Sequence, residues 1–263
     1  MESALTALLW VALALPLLLL LQRWINRHLQ GVTYLLTGRP GWAVIAYAII
    51  LFPGVLLHEL SHWLAARLLG VRTGRLSLLP SLERDGTIRL GYVEYYRHRS
   101  LDPVRESLIG AAPLLTGTVA ILLIGLYVFN VSALILALES RQVEGLMDVL
   151  ATFTEVPDLL LWIYLIFAIS NAMMPSPSDR RAWPAFLLLL ASAAGALYLL
   201  GLGDVLLPGL VGPAAVVFGY LGLAFTIAIG VDILFLLLLA VLEALLSRLK
   251  GVQVTYGEGK RAK

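Results

Sequence analysis

Long apolar runs dominate this chain of 263 residues, and they constrain its fold more than any other feature. Several of them reach the roughly 18 to 20 residues that an α-helix needs to cross about 30 Å of hydrocarbon. In total 60% of the residues are apolar, 14% are charged, and the mean hydropathy is +0.89. A water-soluble domain does not carry this much apolar surface. The sequence therefore predicts an integral protein of the lipid bilayer.

The apolar runs predict six transmembrane helices, so the expected fold class is an all-α polytopic membrane protein. The predicted spans cover residues 4–21, 42–69, 108–128, 157–174, 183–202 and 211–246. The first run lacks the basic leader and cleavage site of a secretory signal, so it is interpreted as an uncleaved span. The last run fits either a tilted or bent helix or a short re-entrant piece at 208–213 followed by a span, which would make seven. We expect one membrane domain over 1–250, with its catalytic core at 42–182 and a cytoplasmic tail at 251–263.

The placement of positive charge predicts which side of the membrane each loop faces. With six spans, the loops on the amino-terminal side, counted together with Arg67 at the end of the second span, hold 15 Lys and Arg residues, and the opposite loops hold 4. Because short loops rich in Lys and Arg stay in the cytoplasm, both termini and the active site are expected on that side. The net charge of +2 is too balanced for a nucleic-acid groove, so no nucleic-acid partner is expected. The chain has no cysteine, which leaves His, Asp and Glu as metal ligands.

The second predicted span contains an H-E-x-x-H pattern, in which His58 and His62 enclose Glu59. Residues four apart lie on one helix face about 6 Å apart, so the two imidazoles can bind one Zn²⁺, while Glu59 acts as a base on water. Three ionisable groups within five residues are costly in lipid unless a metal and water compensate them. The alternative is that these side chains satisfy one another in a polar helix contact, or line an ion path without catalysis.

A catalytic zinc usually has three protein ligands and one open position, so the sequence has to supply a third ligand. Asp179 follows the fourth predicted span, after Pro175 and Pro177, which end the helix and favour an extended backbone that folds back towards the motif. His28 is expected on the opposite side of the membrane and His98 in a basic loop, so Asp179 is the better candidate. The alternative is a carboxylate in a solvated loop.

These residues resemble the site-2 proteases, a family of intramembrane zinc metalloproteases. That family carries H-E-x-x-H in one transmembrane helix and, later, an Asn and a Pro-containing turn that leads to an Asp-Gly pair. Here Asn171 and Asp179 are eight residues apart, as in the family pattern, and Pro177 lies in the expected turn. The resemblance covers residues 42–179, the membrane core of the chain.

The resemblance implies a role for each residue of the site. His58, His62 and Asp179 would bind zinc, Glu59 would be the general acid and base, and Asn171 would orient the substrate or the oxyanion. The chain departs from the family pattern in two places. Arg180 and Arg181 follow Asp179 where the family has Gly, and residues 110–113, Gly-Ala-Ala-Pro, match the family's Gly-Pro motif only loosely. These departures indicate a divergent branch.

The loop between the second and third predicted spans favours a small β-hairpin. Two runs typical of strands, 75–79 and 87–96, are separated by a turn near Asp85 and Gly86. Similar strands lie near the active site in the family, and an exposed strand edge can bind an unwound peptide. The alternative is a solvated basic connector that holds the topology.

The expected function is hydrolysis of peptide bonds in or near the transmembrane segments of another membrane protein, by zinc-activated water with Glu59 as the base. One alternative is a different membrane zinc protease, such as one that acts on prenylated proteins or signal-peptide remnants. A second is a membrane metal-binding protein without proteolysis, either a metal transporter or an inactive relative. The presence of Glu59 argues against an inactive relative, because binding the metal does not require it. Asp232 and Glu243 are costly in the last predicted span and are expected to face protein or water.

Overall fold

A computed structural model describes residues 2–77, 81–82, 88–89, 92–95, 102–140, 143–254 and 256. In this part of the chain the fold is almost entirely helical. The helices are α1 (Glu2–Thr37), α2 (Pro40–Leu68), α3 (Pro103–Leu123), α4 (Val131–Ser140), α5 (Val143–Thr154), α6 (Leu159–Ala172), α7 (Trp183–Leu199) and α8 (Gly203–Lys250). The chain continues from α3 into a π-helical turn at Ile124–Val128.

Within these described ranges, four helices are long and apolar enough to cross a membrane, which corrects the prediction of six spans. They are Ala4–Thr37, Gly41–Leu68, Pro103–Val128 and Gly209–Lys250. A fifth span is present if α5 and α6, which meet at an angle of 94°, are counted as one broken span. The structure thus fits a multi-pass, all-α membrane protein with four to five spans.

The fourth and fifth predicted spans correspond to α6 and α7, and both helices are shorter than a full span. Local backbone conformations limit their length, at the start of α6 and at the end of α7. Helix α6 has 14 residues and rises about 21 Å, and it begins after Asp158, which has a φ of 57°. Helix α7 has 17 residues and rises about 26 Å. Gly201, with a φ of 73°, and hydrogen bonds from the backbone N–H groups of Gly201 and Leu202 to the last turn end it in a Schellman motif.

Helix α8 is a single helix of 48 residues, about 72 Å long, so the re-entrant alternative for the last apolar run is wrong. It runs in the same direction as α1. Trp10 on α1 donates a hydrogen bond to Thr226 at 3.0 Å, and Lys250 at the end of α8 donates to the carbonyl of Leu35 at the end of α1. The start of α1 and the end of α8 therefore lie at opposite ends of this parallel pair.

This parallel pairing differs from the prediction that both termini face the cytoplasm. The prediction assumed six crossings, an even number, whereas α1, α2, α3, the broken α5–α6 span and α8 make five, an odd number that places the termini at opposite ends. Arg248 and Lys250, in the last turn of α8, lie at the end opposite the loop between α2 and α3. Their position reduces the charge asymmetry on which the sidedness was based.

In its described residues, the loop between α2 and α3 contains two short antiparallel strand pairs, where the sequence predicted one hairpin of residues 75–79 and 87–96. The first joins β1 (Thr73–Ser77) to β4 (Tyr92–Tyr95), and the second joins β2 (Ser81–Leu82) to β3 (Ile88–Arg89). The predicted turn at residues 85–86 lies outside the described residues. Strands β1 and β4 both lie against α2, the helix that carries the H-E-x-x-H pattern.

Candidate metal centre

The two histidines of the pattern lie on one face of α2, and each is oriented by a backbone carbonyl from another helix. Nδ1 of His58 donates to the carbonyl of Ala172 at the end of α6 at 2.7 Å. Nδ1 of His62 donates to the carbonyl of Ile109 on α3 at 2.9 Å. Because a carbonyl can only accept, both rings carry a proton on Nδ1, so each Nε2 offers a lone pair to a metal whenever it is not itself protonated. Such second partners are typical of histidines that bind a metal.

Asp179 lies next to the two histidines, as predicted, but residues 176–181 form hydrogen-bonded turns and not the expected extended backbone. Its Oδ1 is 3.4 Å from Nε2 of His62, and its Oδ2 is 3.7 Å from Nε2 of His58. Ser176 fixes the position of this carboxylate, because its backbone N–H and its hydroxyl donate hydrogen bonds to Oδ2 at 2.7 and 2.6 Å. With its side chain only 14% exposed, Asp179 is not a solvated loop carboxylate.

Two opposing effects act on the pKa of Asp179, which lies outside the membrane-spanning helices. Burial raises the pKa of this carboxyl, whereas the hydrogen bonds from His62 and Ser176 and the charge of His62 lower it by more. The net result is a pKa below the usual value of an aspartate. Asp179 is therefore deprotonated at neutral pH, which is the form that binds a metal.

Two glycines allow the backbones around the site to approach closely. A Cβ on Gly110 of α3 would overlap the backbone carbonyl of Asp179, and a Cβ on Gly54 of α2 would overlap the carbonyl of Ala168 on α6. Because Gly54 has no side chain, α6 packs closely against α2, and the carbonyl of Ala172 at the end of α6 reaches His58. Gly110 lets the loop carrying Asp179 lie against α3, where Ile109 reaches His62. The sequence analysis noted Gly110 only as part of a loose match to the Gly-Pro motif, and it did not identify Gly54.

The arrangement of the three side chains fits a divalent metal ion. One ligand atom from each of His58, His62 and Asp179 lies within 4.8 Å of the others, and the two Nε2 atoms are 3.1 Å apart. In a tetrahedral zinc site with ligands at roughly 2.1 Å, neighbouring ligand atoms are about 3.4 Å apart. Two imidazole lone pairs and a carboxylate facing one another repel unless a cation or a proton lies among them. The donor set of two nitrogens and one oxygen suits zinc.

Glu59, the residue predicted to act as the base, is also buried. It directly follows His58 on α2 and is 8% exposed. Glu59 thus lies in the same turn of α2 as His58, in surroundings largely shielded from solvent. Its role as the base stays a prediction.

Asn171, the remaining predicted site residue, contacts α8. Its Nδ2 donates to Oδ1 of Asp232 at 2.9 Å and to the carbonyl of Phe167 at 3.0 Å. The described hydrogen bonds of this side chain therefore run away from the two histidines. Its role in orienting the substrate stays a prediction.

Sequence reasoning missed the residues that support the site. Asp232 stood out as a carboxylate within an apolar run, but nothing in the sequence indicated which helix it faces. Comparisons with models of known protein families, with curated proteins and with solved structures found no match to this chain. The chemistry of the site is therefore inferred from its own geometry.

Proposed function

We propose that this chain is an intramembrane zinc metalloprotease similar to the site-2 proteases. The observation that supports this proposal most is the convergence of His58, His62 and Asp179 within 4.8 Å, at a helix whose H-E-x-x-H pattern also contains the buried Glu59. A metal site for storage or structure needs no carboxylate beside its ligands, whereas hydrolysis does. The location of the motif in a membrane-spanning helix favours a substrate that is itself in the membrane.

Each residue has a distinct task in the proposed reaction. A zinc ion held by the two histidines and Asp179 would supply a Lewis acid that polarises the scissile carbonyl and acidifies a water molecule. The carbonyls of Ala172 and Ile109 keep the two rings in the orientation that binds metal. Glu59 accepts the proton of the attacking water and then donates it to the leaving amine.

The proposed substrate is a transmembrane helix of another membrane protein. Its peptide bonds are hidden by helical hydrogen bonds, so it must unwind locally before hydrolysis. Strands β1 and β4 lie against α2 and form an antiparallel pair, which supports a role in binding the unwound segment as an added strand. We place the reaction on the cytoplasmic side, because the loop between α2 and α3 is rich in arginine.

The proposed function is tested with purified protein, its Glu59→Gln variant and its Asp179→Ala variant. Fluorescently labelled casein serves as the probe, because an unfolded chain needs no unwinding. We expect hydrolysis by the wild type and a loss of at least about 100-fold in Glu59→Gln, since the base is removed. Glu59→Gln should retain its zinc, whereas Asp179→Ala should lose both zinc and activity.

The outcomes distinguish the proposed enzyme from a metal-binding protein without catalysis. Zinc bound by the wild type with no hydrolysis of casein, or of a panel of single-span membrane helices, would contradict the protease. Hydrolysis that survives in Glu59→Gln would contradict the role of Glu59. Zinc-dependent transport that is unchanged by Glu59→Gln would favour a transporter.

A further inference from the structure

Asp232 is a fully buried carboxylate in the middle of α8, and it binds the last turn of α6. Its exposure is 0%. The hydroxyl of Ser170 and the Nδ2 of Asn171 both donate to its Oδ1, each at 2.9 Å. Gln22 of α1 also donates to the backbone carbonyl of Ser170, at 2.6 Å. Side chains of two helices, α1 and α8, thus hold the end of α6 through hydrogen bonds.

Two atoms of this network have no hydrogen-bond partner in the described part of the chain. They are Oδ2 of Asp232 and Oδ1 of Asn171, and both are buried. An unpaired charged carboxylate within a membrane-spanning helix is costly. A proton on Oδ2 of Asp232 would pair with Oδ1 of Asn171 and satisfy both atoms. The pair would then be held by two hydrogen bonds, one in each direction.

This network is next to the candidate metal centre along the chain. Ser170 and Asn171 directly precede Ala172, whose carbonyl accepts the hydrogen bond from Nδ1 of His58 at 2.7 Å. Helix α6 ends at Ala172, and the loop that carries Asp179 begins there. The position of the last turn of α6 therefore determines both the orientation of the His58 ring and the point from which the loop to Asp179 begins.

We propose that Asp232 is a positioning residue, which in its neutral form holds the last turn of α6 and thereby orients His58 for metal binding. Asp232 acts through Ser170 and Asn171 and touches neither the metal nor the substrate. This inference assigns a role to a costly buried acid that the hydrolysis itself does not use. It rests on the proposed metal centre.

The test is the affinity of the purified protein for zinc, measured by competition with a fluorescent chelator. We expect Asp232→Leu to bind zinc about tenfold more weakly, since loss of an outer partner of a metal ligand typically costs 10- to 100-fold. Asp232→Asn keeps the acceptor for Ser170 and Asn171 and offers an N–H in place of the proton. It should therefore retain an affinity within about twofold of the wild type.

Leu239→Ala is the matched control, because Leu239 is also buried on α8, at 4% exposure, but belongs to an apolar cluster. It should lower the thermal stability and leave the zinc affinity unchanged. The double variant Asp232→Leu/Asn171→Leu should bind zinc no more weakly than the more affected single variant, because the two residues act as one unit. Independent, additive losses would contradict this coupling.

The outcomes separate this inference from the proposed function. If the wild type binds no zinc, the metal centre itself fails. If the wild type binds zinc and Asp232→Leu binds it equally well, the positioning role is overturned while the metal centre stands. If Asp232→Asn binds zinc as weakly as Asp232→Leu, the claim that Asp232 acts in its neutral form is contradicted. Should Asp232→Leu not fold, Ser170→Ala/Asn171→Leu removes the same two hydrogen bonds from α6, and an unchanged affinity there overturns the proposal.

Discussion

At the scale of single residues, the candidate centre depends on close contacts between side chains and backbone groups. Each histidine has one nitrogen bound to a carbonyl and one directed at Asp179. Neither carbonyl belongs to α2, so the rings are oriented correctly only when α3 and α6 lie in place. The site is thus sensitive to small shifts of backbone that leave all of its side chains intact.

Gly110→Ala tests this sensitivity, because its Cβ would overlap the backbone of Asp179. We expect the loop to move away from α3 and the zinc affinity to fall at least about tenfold, as for other supporting groups of metal ligands. Gly145→Ala is the control, since a Cβ there meets no atom within 4 Å. The measurement is zinc affinity by chelator competition, and equal affinities for the two variants would contradict the close contact.

The residues of the centre differ in how far the sequence reveals them. His58, Glu59 and His62 are close in sequence, and the helical repeat alone places the two histidines on one face. Asp179 required a second local signal, the prolines that end the preceding helix. Gly54, Ile109 and Asp232 carry no such signal, because their partners lie on other helices. A backbone carbonyl that orients a ring can belong to any residue type.

At the scale of helices and strands, hydropathy identified the apolar segments better than their ends. The sequence predicted apolar helices around the observed α1, α2, α3 and α8. It extended α6 and α7 to full spans, because a hydropathy window does not detect the left-handed backbone at Asp158 or the Schellman motif at Gly201. It ended the first helix near residue 21, although α1 continues through the polar positions Arg23 to His28 up to Thr37.

The start of α3 offers a test at this scale, since this helix supplies the carbonyl that orients His62. Asp102 is its N-cap and accepts a hydrogen bond from the backbone N–H of Arg105 at 2.9 Å. We expect Asp102→Ala to destabilise the protein by about 1 kcal/mol. Asp102→Asn, which is an equally good N-cap, should have almost no effect. The measurement is the thermal unfolding midpoint in detergent, and equal losses in both variants would indicate that the charge, not the cap, is what matters.

At the scale of the whole molecule, the parallel packing of α1 and α8 determines where the termini lie. The contacts between them run from Trp10 and Thr226 to Leu35 and Lys250. The sequence did not reveal this pairing, because helix direction depends on whether the number of crossings is odd or even, and hydropathy predicted six where the broken α5–α6 span makes five. Which helices contact one another is likewise not encoded in their hydropathy.

The chain has no cysteine, so single cysteines can report the side of each terminus without background. We expect a membrane-impermeant maleimide added to intact cells to label only one of Ser3→Cys and Val252→Cys. The reason is that the start of α1 and the end of α8 lie at opposite ends of a parallel pair. Lysed cells provide the control, since both variants should then be labelled. Equal labelling of the two variants in intact cells would contradict the parallel pair.

The most direct test of the central claim is the zinc content of the purified protein beside His58→Ala and Asp179→Ala. If the two histidines and Asp179 form one metal centre, the wild type holds one zinc per chain after dialysis. Both variants then lose most of it, because only two ligands remain. Zinc content that is equal in all three proteins, or absent from the wild type after zinc is supplied, would contradict the account.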